Sequence, residues 1–170
     1  MINQTGLEQS MTHLKGISMQ FTEVSFGEVY EDLLPMFEDH YQEIARYKDI
    51  PLDPDVDRYL MIEENEGLKM YVMFDSQGPQ GYALFFVSPH IHYKGSLQAM
   101  QDVLYIQSKH RKTGIGSQFI SYCDDELRKY GVQIVHQHSK AAKDFGSSLV
   151  KLGYEHVENI YSKRLDVVEN

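Results

Sequence analysis

The chain is organised around residues 103–120, which read Val103-Leu104-Tyr105-Ile106-Gln107-Ser108-Lys109-His110-Arg111-Lys112-Thr113-Gly114-Ile115-Gly116-Ser117-Gln118-Phe119-Ile120. An apolar run is followed by a polar segment that carries two glycines, and apolar residues then recur at helical spacing. This pattern predicts a buried strand, a short loop and an amphipathic helix. Such a loop directs backbone N–H groups at one point beside the positive end of a helix dipole. We therefore expect an anion site, suited to a phosphate or pyrophosphate.

The composition is that of one compact, acidic domain. A length of 170 residues fits a single domain, and a hydrophobic fraction of 42% is enough for a sizeable core. The formal net charge of -9 argues against nucleic-acid binding, which requires a basic face. The same charge would suit a cationic substrate.

The single cysteine, the lack of a long apolar run and the N-terminal residues indicate the expected cellular location. Cys123 has no partner for an internal disulfide, and its place on an apolar helical stripe predicts a buried, inert thiol. There is no run of 18 apolar residues, so no membrane span is expected. Residues 1–17 lack an apolar signal core and are interpreted as an N-terminal tail before one domain at 18–170. The expected location is the cytoplasm.

Periodicity and turn residues predict the other elements and their order. After a first strand at Met19–Val24, a helix begins near Ser25, its expected N-cap with Glu28 three residues later, and contains Pro35. The later predicted elements are a helix at Val56–Asn65, strands at Leu68–Phe74, Gly81–Val87 and Leu97–Ile106 with a loop at Ser88–Ser96, the helix that Gly131 ends, a strand at Val132–His138, a helix at Ala141–Leu152, and strands at Tyr154–Val157 and Ile160–Leu165. This order predicts an α/β domain with a mixed sheet.

Two common phosphate-binding motifs do not fit the glycine loop. The loop of nucleoside triphosphatases requires Gly-x-x-x-x-Gly-Lys-Ser/Thr, and no such run is present. The dinucleotide fingerprint starts at Gly114 and Gly116 but has Phe119 where its third glycine belongs. Both functions are therefore excluded for this loop.

The loop does match Arg/Gln-x-x-Gly-x-Gly/Ala between a strand and a helix, as Arg111-Lys112-Thr113-Gly114-Ile115-Gly116. This motif resembles the acyl-CoA-binding motif of the GNAT acetyltransferase superfamily. Leu104-Tyr105-Ile106 precede it at the family's spacing, and Leu152-Gly153-Tyr154 resembles the family's Leu-Gly-Phe/Tyr after the last helix. The resemblance covers roughly residues 18–166 and is to stand-alone GNAT proteins of bacteria and their phages. It implies a GNAT-like, mixed and mostly antiparallel central sheet flanked by helices.

The resemblance also implies acetyl-CoA as the cofactor and a place for it. The backbone N–H groups of Arg111, Lys112, Thr113, Gly114, Ile115 and Gly116 would hold the pyrophosphate, with Arg111 or Lys112 adding positive charge. The strand that ends at Ile106 would splay from the strand that ends at His138. The pantetheine arm would lie in that gap, against backbone groups of the segment Leu104, Tyr105 and Ile106.

The implied activity is acetyl transfer from acetyl-CoA to an amine by direct attack, without an acyl-enzyme. Asp102 precedes the loop, near a place where many family members carry a carboxylate, and is the candidate base. It would act through water, because the ordinary pKa of an aspartate is far below that of an amine. The alternative is that Asp102 is a solvated charge at a strand edge.

The usual acid of the family, a tyrosine in the last helix, has no counterpart at the matching position. Leu149 stands there, and Ala142 stands where the family often has asparagine. Candidates to replace the acid are His138, Tyr154, Ser147 and Ser148, of which His138 and Tyr154 come first. The missing residues also keep open a non-catalytic GNAT-fold binding or inhibitor module that retains CoA binding.

Two histidine pairs require a separate interpretation. His90 with His92, and His136 with His138, would each share one face of an extended segment and could ligate zinc. No cysteine pair supports such a site, so we expect no metal.

The acceptor end is expected around the first two helices and the loop before the long strand. Tyrosines and histidines occur there: Tyr41, Tyr47, Tyr59, His90, His92 and Tyr93. The same region is acidic, through Glu38, Glu43 and a series of aspartates: Asp39, Asp53, Asp55 and Asp57. An amine of a small molecule, or of a basic peptide or protein, is the predicted acceptor, and a homodimer is compatible with the resemblance. The alternative is a solvated helix face above core tyrosines.

Overall fold

The computed structural model describes residues 10–14 and 17–166. The strands are β1 (Ser10–Leu14), β2 (Ile17–Val24), β3 (Leu68–Asp75), β4 (Gly78–His90), β5 (Tyr93–Ile106) and β6 (Ile134–His136). The helices are α1 (Phe26–Ile44), α2 (Val56–Glu64), α3 (Ile115–Tyr130) and α4 (Gly146–Lys151), with short 3₁₀ turns at Ser108–His110 and Ala141–Lys143.

All these strands form one sheet in the order β1-β2-β3-β4-β5-β6. Neighbouring strands are antiparallel, except β5 and β6, which are parallel. Helix α3 packs on one face of the sheet, and α1 and α2 pack on the other. The predicted α/β class with a GNAT-like, mixed and mostly antiparallel sheet flanked by helices is confirmed.

The sheet separates two apolar cores, because side chains alternate between the faces of a strand. In β3, Tyr71 and Met73 belong to the core under α3, whereas Met70 and Val72 belong to the core under α1 and α2. Cys123 of α3 lies in the first core and is only 1% exposed. The predicted burial of this thiol is confirmed, and burial raises its pKa well above the usual value.

Helix α1 is continuous through Pro35. Pro35 lies on the exposed side of the helix, between the buried residues Leu33 and Met36. Water can therefore satisfy the carbonyl that a proline leaves without an N–H partner, and Pro35 does not split the helix. None of the described helices is both long and apolar enough to cross a membrane.

The N-terminus of α1 is capped by a residue of α2. Ser25 makes no side-chain capping bond to its own helix, and its Oγ donates instead to Glu63 Oε2 at 3.0 Å. The Glu63 carboxylate also accepts from the N–H groups of Phe26 at 2.6 Å and Gly27 at 3.3 Å. An anion at the positive end of the helix dipole thus joins α1 to α2 and replaces the expected capping box of Ser25 and Glu28.

Removing this carboxylate should destabilise the fold. We expect Glu63→Ala to lower the free energy of unfolding by about 1–2 kcal/mol, the range for losing a helix N-cap. Urea denaturation followed by circular dichroism measures this change. Glu64→Ala is the matched control, because Glu64 is exposed on the same helix. Equal stability of the two variants would contradict the capping role.

The segment predicted as a loop at Ser88–Ser96 is largely extended. Strand β4 continues to His90 and β5 begins at Tyr93, and these two residues are paired across the hairpin. Their rings stack with centroids 4.9 Å apart. This cross-strand contact explains why the hairpin extends beyond the limits predicted from sequence.

The last described elements are shorter than predicted. Only Ile134–His136 of the predicted strand Val132–His138 pairs with β5. The predicted helix at Ala141–Leu152 is divided before α4, because the Asp144 carboxylate accepts from the Gly146 N–H at 2.8 Å. Ser139 Oγ in turn donates to Asp144 at 2.6 Å. These side-chain bonds start a new helix at Gly146.

The two strands predicted at 154–157 and 160–165 are wrong. From residue 155 to residue 164, the described chain makes no backbone–backbone hydrogen bond. The segment instead crosses towards the connection between α1 and α2, where Arg164 Nη1 lies 3.0 Å from Asp49 Oδ2. Alternating apolar residues make a strand only where they pair with a neighbouring strand, and residues 155–164 make no such pairing in the described chain.

Part of the predicted N-terminal tail belongs to the sheet. Ser10–Leu14 form β1, which pairs with β2 from Ser10↔Phe21 to Leu14↔Ile17. This pairing covers backbone groups that β2 would otherwise present at an open edge. The rest of the predicted tail, residues 1–9, 15 and 16, lies outside the described part of the chain.

Candidate functional site

The loop between β5 and α3 is held in one shape by its own side chains. His110 is 7% exposed, and its Nε2 lies 3.1 Å from Oε1 of Gln80 in β4. Thr113 Oγ1 donates to the His110 carbonyl at 2.7 Å. Gly114 precedes α3 with a φ of 90°, a conformation that glycine adopts without the penalty of a side chain. These contacts hold the loop against β4 and fix its backbone conformation.

A group of backbone N–H donors at this loop has no acceptor within the described residues: Lys112, Thr113, Gly114, Gly116 and Ser117. Two other amides of the predicted cradle are engaged. Arg111 N donates to Ser108 O at 3.2 Å, and Ile115 N lies 3.4 Å from Thr113 Oγ1. The free donors lie at the start of a 16-residue helix, where the dipole is positive, and the geometry is that of an anion cradle.

The side chain of Arg111 is engaged in hydrogen bonds within the protein. Both of its terminal nitrogens donate to the carboxylate of Glu43 in α1, one of them at 2.7 Å, and its Nε donates to Ile106 O at 2.7 Å. Lys143 adds a second cation 2.9 Å from Glu43. These cations hold the pKa of Glu43 at about 2, mainly through the hydrogen bonds from Arg111. The exposed cations of the loop are Lys109 and Lys112, and Lys112 has a φ of 62°.

The Glu43–Arg111 ion pair should make the free energy of unfolding depend on pH. The pKa of Glu43 is lowered from 4.5 to about 2, so the carboxylate stabilises the fold above pH 4.5, and this contribution is lost as pH falls towards 2. Because Arg111 is partly exposed, we expect Glu43→Gln to cost about 1–2 kcal/mol at pH 7 after solvent screening.

Urea denaturation at several pH values tests this. The difference between wild type and Glu43→Gln should shrink below pH 4.5 and vanish near pH 2. Glu38→Gln is the control, because Glu38 accepts a hydrogen bond from Gln42 but makes no ion pair with a described residue. A difference that does not change with pH would contradict the proposed role of the pair.

Strands β5 and β6 separate, as predicted. Their parallel pairing runs only from Gln98↔Ile134 to Met100↔His136, while β5 continues to Ile106. Gln107 N donates to Gln80 O of β4, so by alternation the backbone groups of Ile106 and Leu104 point away from β4, into the gap. The backbone of Tyr105 points towards β4 and is not available there. The Ile106 carbonyl already accepts from Arg111, which leaves the Ile106 N–H and the backbone groups of Leu104 free for a ligand.

The side chain of Tyr105 packs against the guanidinium of Arg111. The guanidinium lies 5.2 Å from the Tyr105 ring centroid, and the other neighbour of this ring is His40, at 4.8 Å. His40 is 5% exposed, and its Nδ1 lies 2.8 Å from Tyr82 Oη. Burial lowers the pKa of His40 to about 4, so the imidazole is neutral at pH 7. Sequence reasoning missed His40 and the partner role of Glu43, because a long stretch of chain separates them from Arg111.

Asp102 lies at a β-bulge. Val103 pairs with Leu84 and Gln101 pairs with Phe85, so Asp102 is the extra residue in β5. The bulge puts Asp102 on the same side as Val103, towards α2. There Tyr59 donates its hydroxyl hydrogen to Asp102 Oδ2 at 2.6 Å. Burial, and then this hydrogen bond, raise the pKa of Tyr59, so its hydroxyl stays protonated.

His138 lies beside the gap, just beyond β6. Its backbone N–H donates to Gln101 Oε1 at 2.9 Å, next to Asp102 in the chain. The imidazole is partly buried and has no hydrogen-bond partner among the described residues. Its ring thus lies near the start of the gap, with its polar atoms available to a ligand.

Tyr154 is not near Asp102. Its hydroxyl donates to the carboxylate of Asp124 in α3 and accepts from Gln137 Nε2 at 3.3 Å. Burial and the Asp124 contact raise its pKa. These partners hold Tyr154 on the α3 side of the sheet, whereas Asp102 lies on the α2 side. Leu149, at the position of the family's usual tyrosine, is a core residue, 7% exposed.

The histidine pairs do not form a metal cluster in the described part of the chain, where no group of three or more metal-ligating side chains occurs. His90 Nδ1 accepts from the His92 N–H at 3.2 Å at the tip of the β4–β5 hairpin. His136 Nε2 lies 3.2 Å from Gln98 Oε1. Each pair thus has local protein contacts.

A pocket of about 350 Å³ opens between the end of α1 and the start of α2. It is lined by a mixed set of residues: Tyr41, Ala45, Arg46, Tyr47, Ile50, Pro51, Leu52, Asp53, Pro54 and Tyr59. The predicted acceptor residues Tyr41, Tyr47 and Tyr59 therefore share one pocket, and Tyr59 connects it to Asp102. The other predicted acceptor residues, His90, His92 and Tyr93, do not line the pocket and lie at the β4–β5 hairpin.

No protein-family model matches the chain, and no curated protein matches it by sequence. Solved structures do match. An aminoglycoside acetyltransferase from an uncultured soil metagenomic sample superposes with a TM-score of 0.65 at 12% identity, over 89% of this chain and 97% of that one. A GCN5-related N-acetyltransferase from Ralstonia eutropha JMP134 gives 0.68 at 17% identity, over 86% and 98%.

A third structure, that of a predicted acetyltransferase from Clostridium acetobutylicum with acetyl-CoA, gives a TM-score of 0.64 at 11% identity, over 86% of this chain and 96% of that one. The likeness in each case extends over nearly the whole of both chains. At these identities the likeness concerns the fold. The chain therefore has the fold of the GCN5-related N-acetyltransferases, the GNAT superfamily.

Proposed function

We propose that the protein is an acetyl-CoA-dependent N-acetyltransferase that acts on an amine. The observation that carries this proposal is the set of free backbone N–H groups at residues 112–114, 116 and 117, beside the gap between β5 and β6. A phosphate cradle and an open cleft between splayed strands together fit a long ligand with a pyrophosphate at one end. The structural neighbours are acetyltransferases, which agrees with acetyl transfer in general.

The residues present fit such a ligand at its phosphate end. A Cβ added to Gly114 would meet no atom within 4 Å, so space remains in front of the loop. The free N–H groups would bind the pyrophosphate oxygens, and the Lys112 side chain would add charge. Arg111 contributes indirectly, because its bonds to Glu43 and Ile106 hold the loop against α1 and β5.

The gap leads from the cradle towards Asp102. The free backbone groups of Leu104 would bind the amides of the pantetheine arm, as an extra strand would pair with an open edge. Acetyl-CoA supplies the activated thioester when bound. The amine nitrogen forms a bond to the carbonyl carbon, the carbon–sulfur bond breaks, sulfur keeps the electron pair and gains a proton, and the nitrogen loses one.

Asp102 is proposed to accept the proton of the amine through water, and Tyr59 to hold its carboxylate in place. His138 is proposed to supply the proton at the sulfur, because its imidazole is free beside the gap. Tyr154 is proposed to have a structural role and not to act as the acid, since its hydroxyl already donates to Asp124.

Two measurements test the proposal. Isothermal titration with acetyl-CoA should give saturable binding, and release of free CoA should depend on an added amine. An absence of binding at millimolar acetyl-CoA would refute the cofactor assignment. Binding without CoA release on a panel of amines and basic peptides would refute the enzymatic activity.

A further inference from the structure

The pocket between α1 and α2 differs from the acidic acceptor region that the composition suggests. Several carboxylates of this region are already neutralised or engaged. Glu43 pairs with Arg111 and Lys143. Asp49 pairs with Arg164 at 3.0 Å, and the Asp55 carboxylate accepts from the backbone N–H of its own helix α2.

The charged groups that line the pocket nearly cancel. Asp53 makes no ion pair with a described residue, and it is the pocket's lining carboxylate. Arg46, which lines the same pocket, also lacks a carboxylate partner in the described structure, and its guanidinium lies 5.8 Å from the Tyr47 ring centroid. A pocket with one anion and one cation offers no net attraction to a ligand with several positive charges.

The tyrosines of the pocket have few hydrogen bonds left for a ligand. Each hydroxyl has a protein partner: Tyr41 donates to Ile50 O at 2.6 Å, Tyr47 lies 3.4 Å from Ser162 Oγ, and Tyr59 donates to Asp102 at 2.6 Å. The rings therefore offer mainly carbon surface. A ligand rich in hydroxyl groups would lose its hydrogen bonds to water on entering, and few would be replaced.

The mouth of the pocket is apolar. Ile50 is 49% exposed and Leu52 is 40% exposed, and Pro51 and Pro54 line the same wall. Exposed aliphatic side chains beside tyrosine rings, around an open depression, offer carbon surface to an apolar body. At about 350 Å³ the pocket has the size of a small-molecule site.

We infer that the acceptor is a primary amine with one positive charge on an apolar, preferably aromatic, body. This inference rests on the proposed acetyl transfer and narrows its substrate class. The body contacts Ile50, Leu52 and the tyrosine rings, and the amine extends past Tyr59 towards Asp102. Polyamines, hydroxyl-rich aminosugars and basic peptides are poor acceptors, because the pocket lacks the charge and the free polar groups that they need.

The test compares 2-phenylethylamine with spermidine, kanamycin and a lysine-rich peptide in a CoA-release assay. We expect kcat/KM for 2-phenylethylamine to be at least about tenfold higher than for the others. Leu52→Asn should lower kcat/KM for 2-phenylethylamine about fivefold, through lost apolar contact. Leu34→Asn is the matched control, because Leu34 is 42% exposed on α1 and does not line the pocket.

The outcomes separate this inference from the proposed function. Turnover that favours spermidine, kanamycin or the peptide would overturn the inference and leave the acetyltransferase activity standing. If no amine is acetylated, the proposed function fails, and titration of 2-phenylethylamine onto the protein decides the inference. Binding that Leu52→Asn weakens and Leu34→Asn does not supports it, whereas no binding, or equal binding by all three proteins, overturns it.

Discussion

Replacing Gly114 with glutamate is expected to lower the affinity for acetyl-CoA by at least about 100-fold, a loss typical of a destroyed charge-assisted site. Gly114 has a φ of 90°, and its Cβ would point into space where no protein atom lies within 4 Å. The new side chain would enter the proposed phosphate site and place a negative charge against the pyrophosphate. Isothermal titration of wild type and variant measures the change.

Gly131→Glu is the control for this experiment. Gly131 ends the same helix with a φ of 99° and also has open space at its Cβ. The substitution thus makes the same change of charge and a similar change of backbone strain, at the opposite end of α3. We expect Gly131→Glu to retain cofactor affinity. Similar losses in both variants, or unchanged affinity in Gly114→Glu, would contradict the anion cradle.

Asp102→Asn should lower kcat by about 100-fold, the size of effect expected when a general base is lost, and leave the affinity for acetyl-CoA unchanged. An asparagine oxygen can still accept the hydrogen bond that Tyr59 donates to Asp102, so the local structure should persist. The amide cannot take the proton that the amine must lose. CoA-release kinetics and cofactor titration together measure the two properties.

Two other variants help to interpret this result. Asp57→Asn removes an exposed carboxylate from the same helix as Tyr59 and should keep full activity. Tyr59→Phe keeps the Asp102 carboxylate but removes its hydrogen-bond donor, and should give a smaller loss of kcat. Equal losses of kcat and cofactor affinity in Asp102→Asn would show that Asp102 has a structural role.

Local sequence patterns predicted the elements that are specified by neighbours along the chain. Gly114 and Gly131 mark the start and end of α3, and both adopt the left-handed conformation that glycine favours. The apolar spacing of α3 and the turn residues between β3 and β4 are likewise local features, and the structure has both the helix and the hairpin. The family resemblance of the loop correctly implied that β5 and β6 separate.

The errors concern contacts between distant segments. The alternating residues at 154–165 have the local pattern of strands, but they pair with no neighbouring strand in the described chain. Residues 10–14 were predicted to be part of a tail, yet they form β1 by pairing with the edge of β2. A strand depends on its partner, and the partner cannot be read from the strand's own residues.

The sequence by itself determined the loop with its glycines, the amphipathic helix behind it, and hence the position of the proposed anion cradle, because backbone conformation and helix dipoles are local properties. Only the tertiary structure decided what the neighbouring side chains do. In the folded chain Arg111 forms an ion pair with Glu43, and a β-bulge places the Asp102 carboxylate beside the Tyr59 hydroxyl. The Tyr154 hydroxyl donates a hydrogen bond to Asp124. These roles depend on which charges and hydroxyls meet across the sheet, and that meeting is set by packing between segments far apart in the chain.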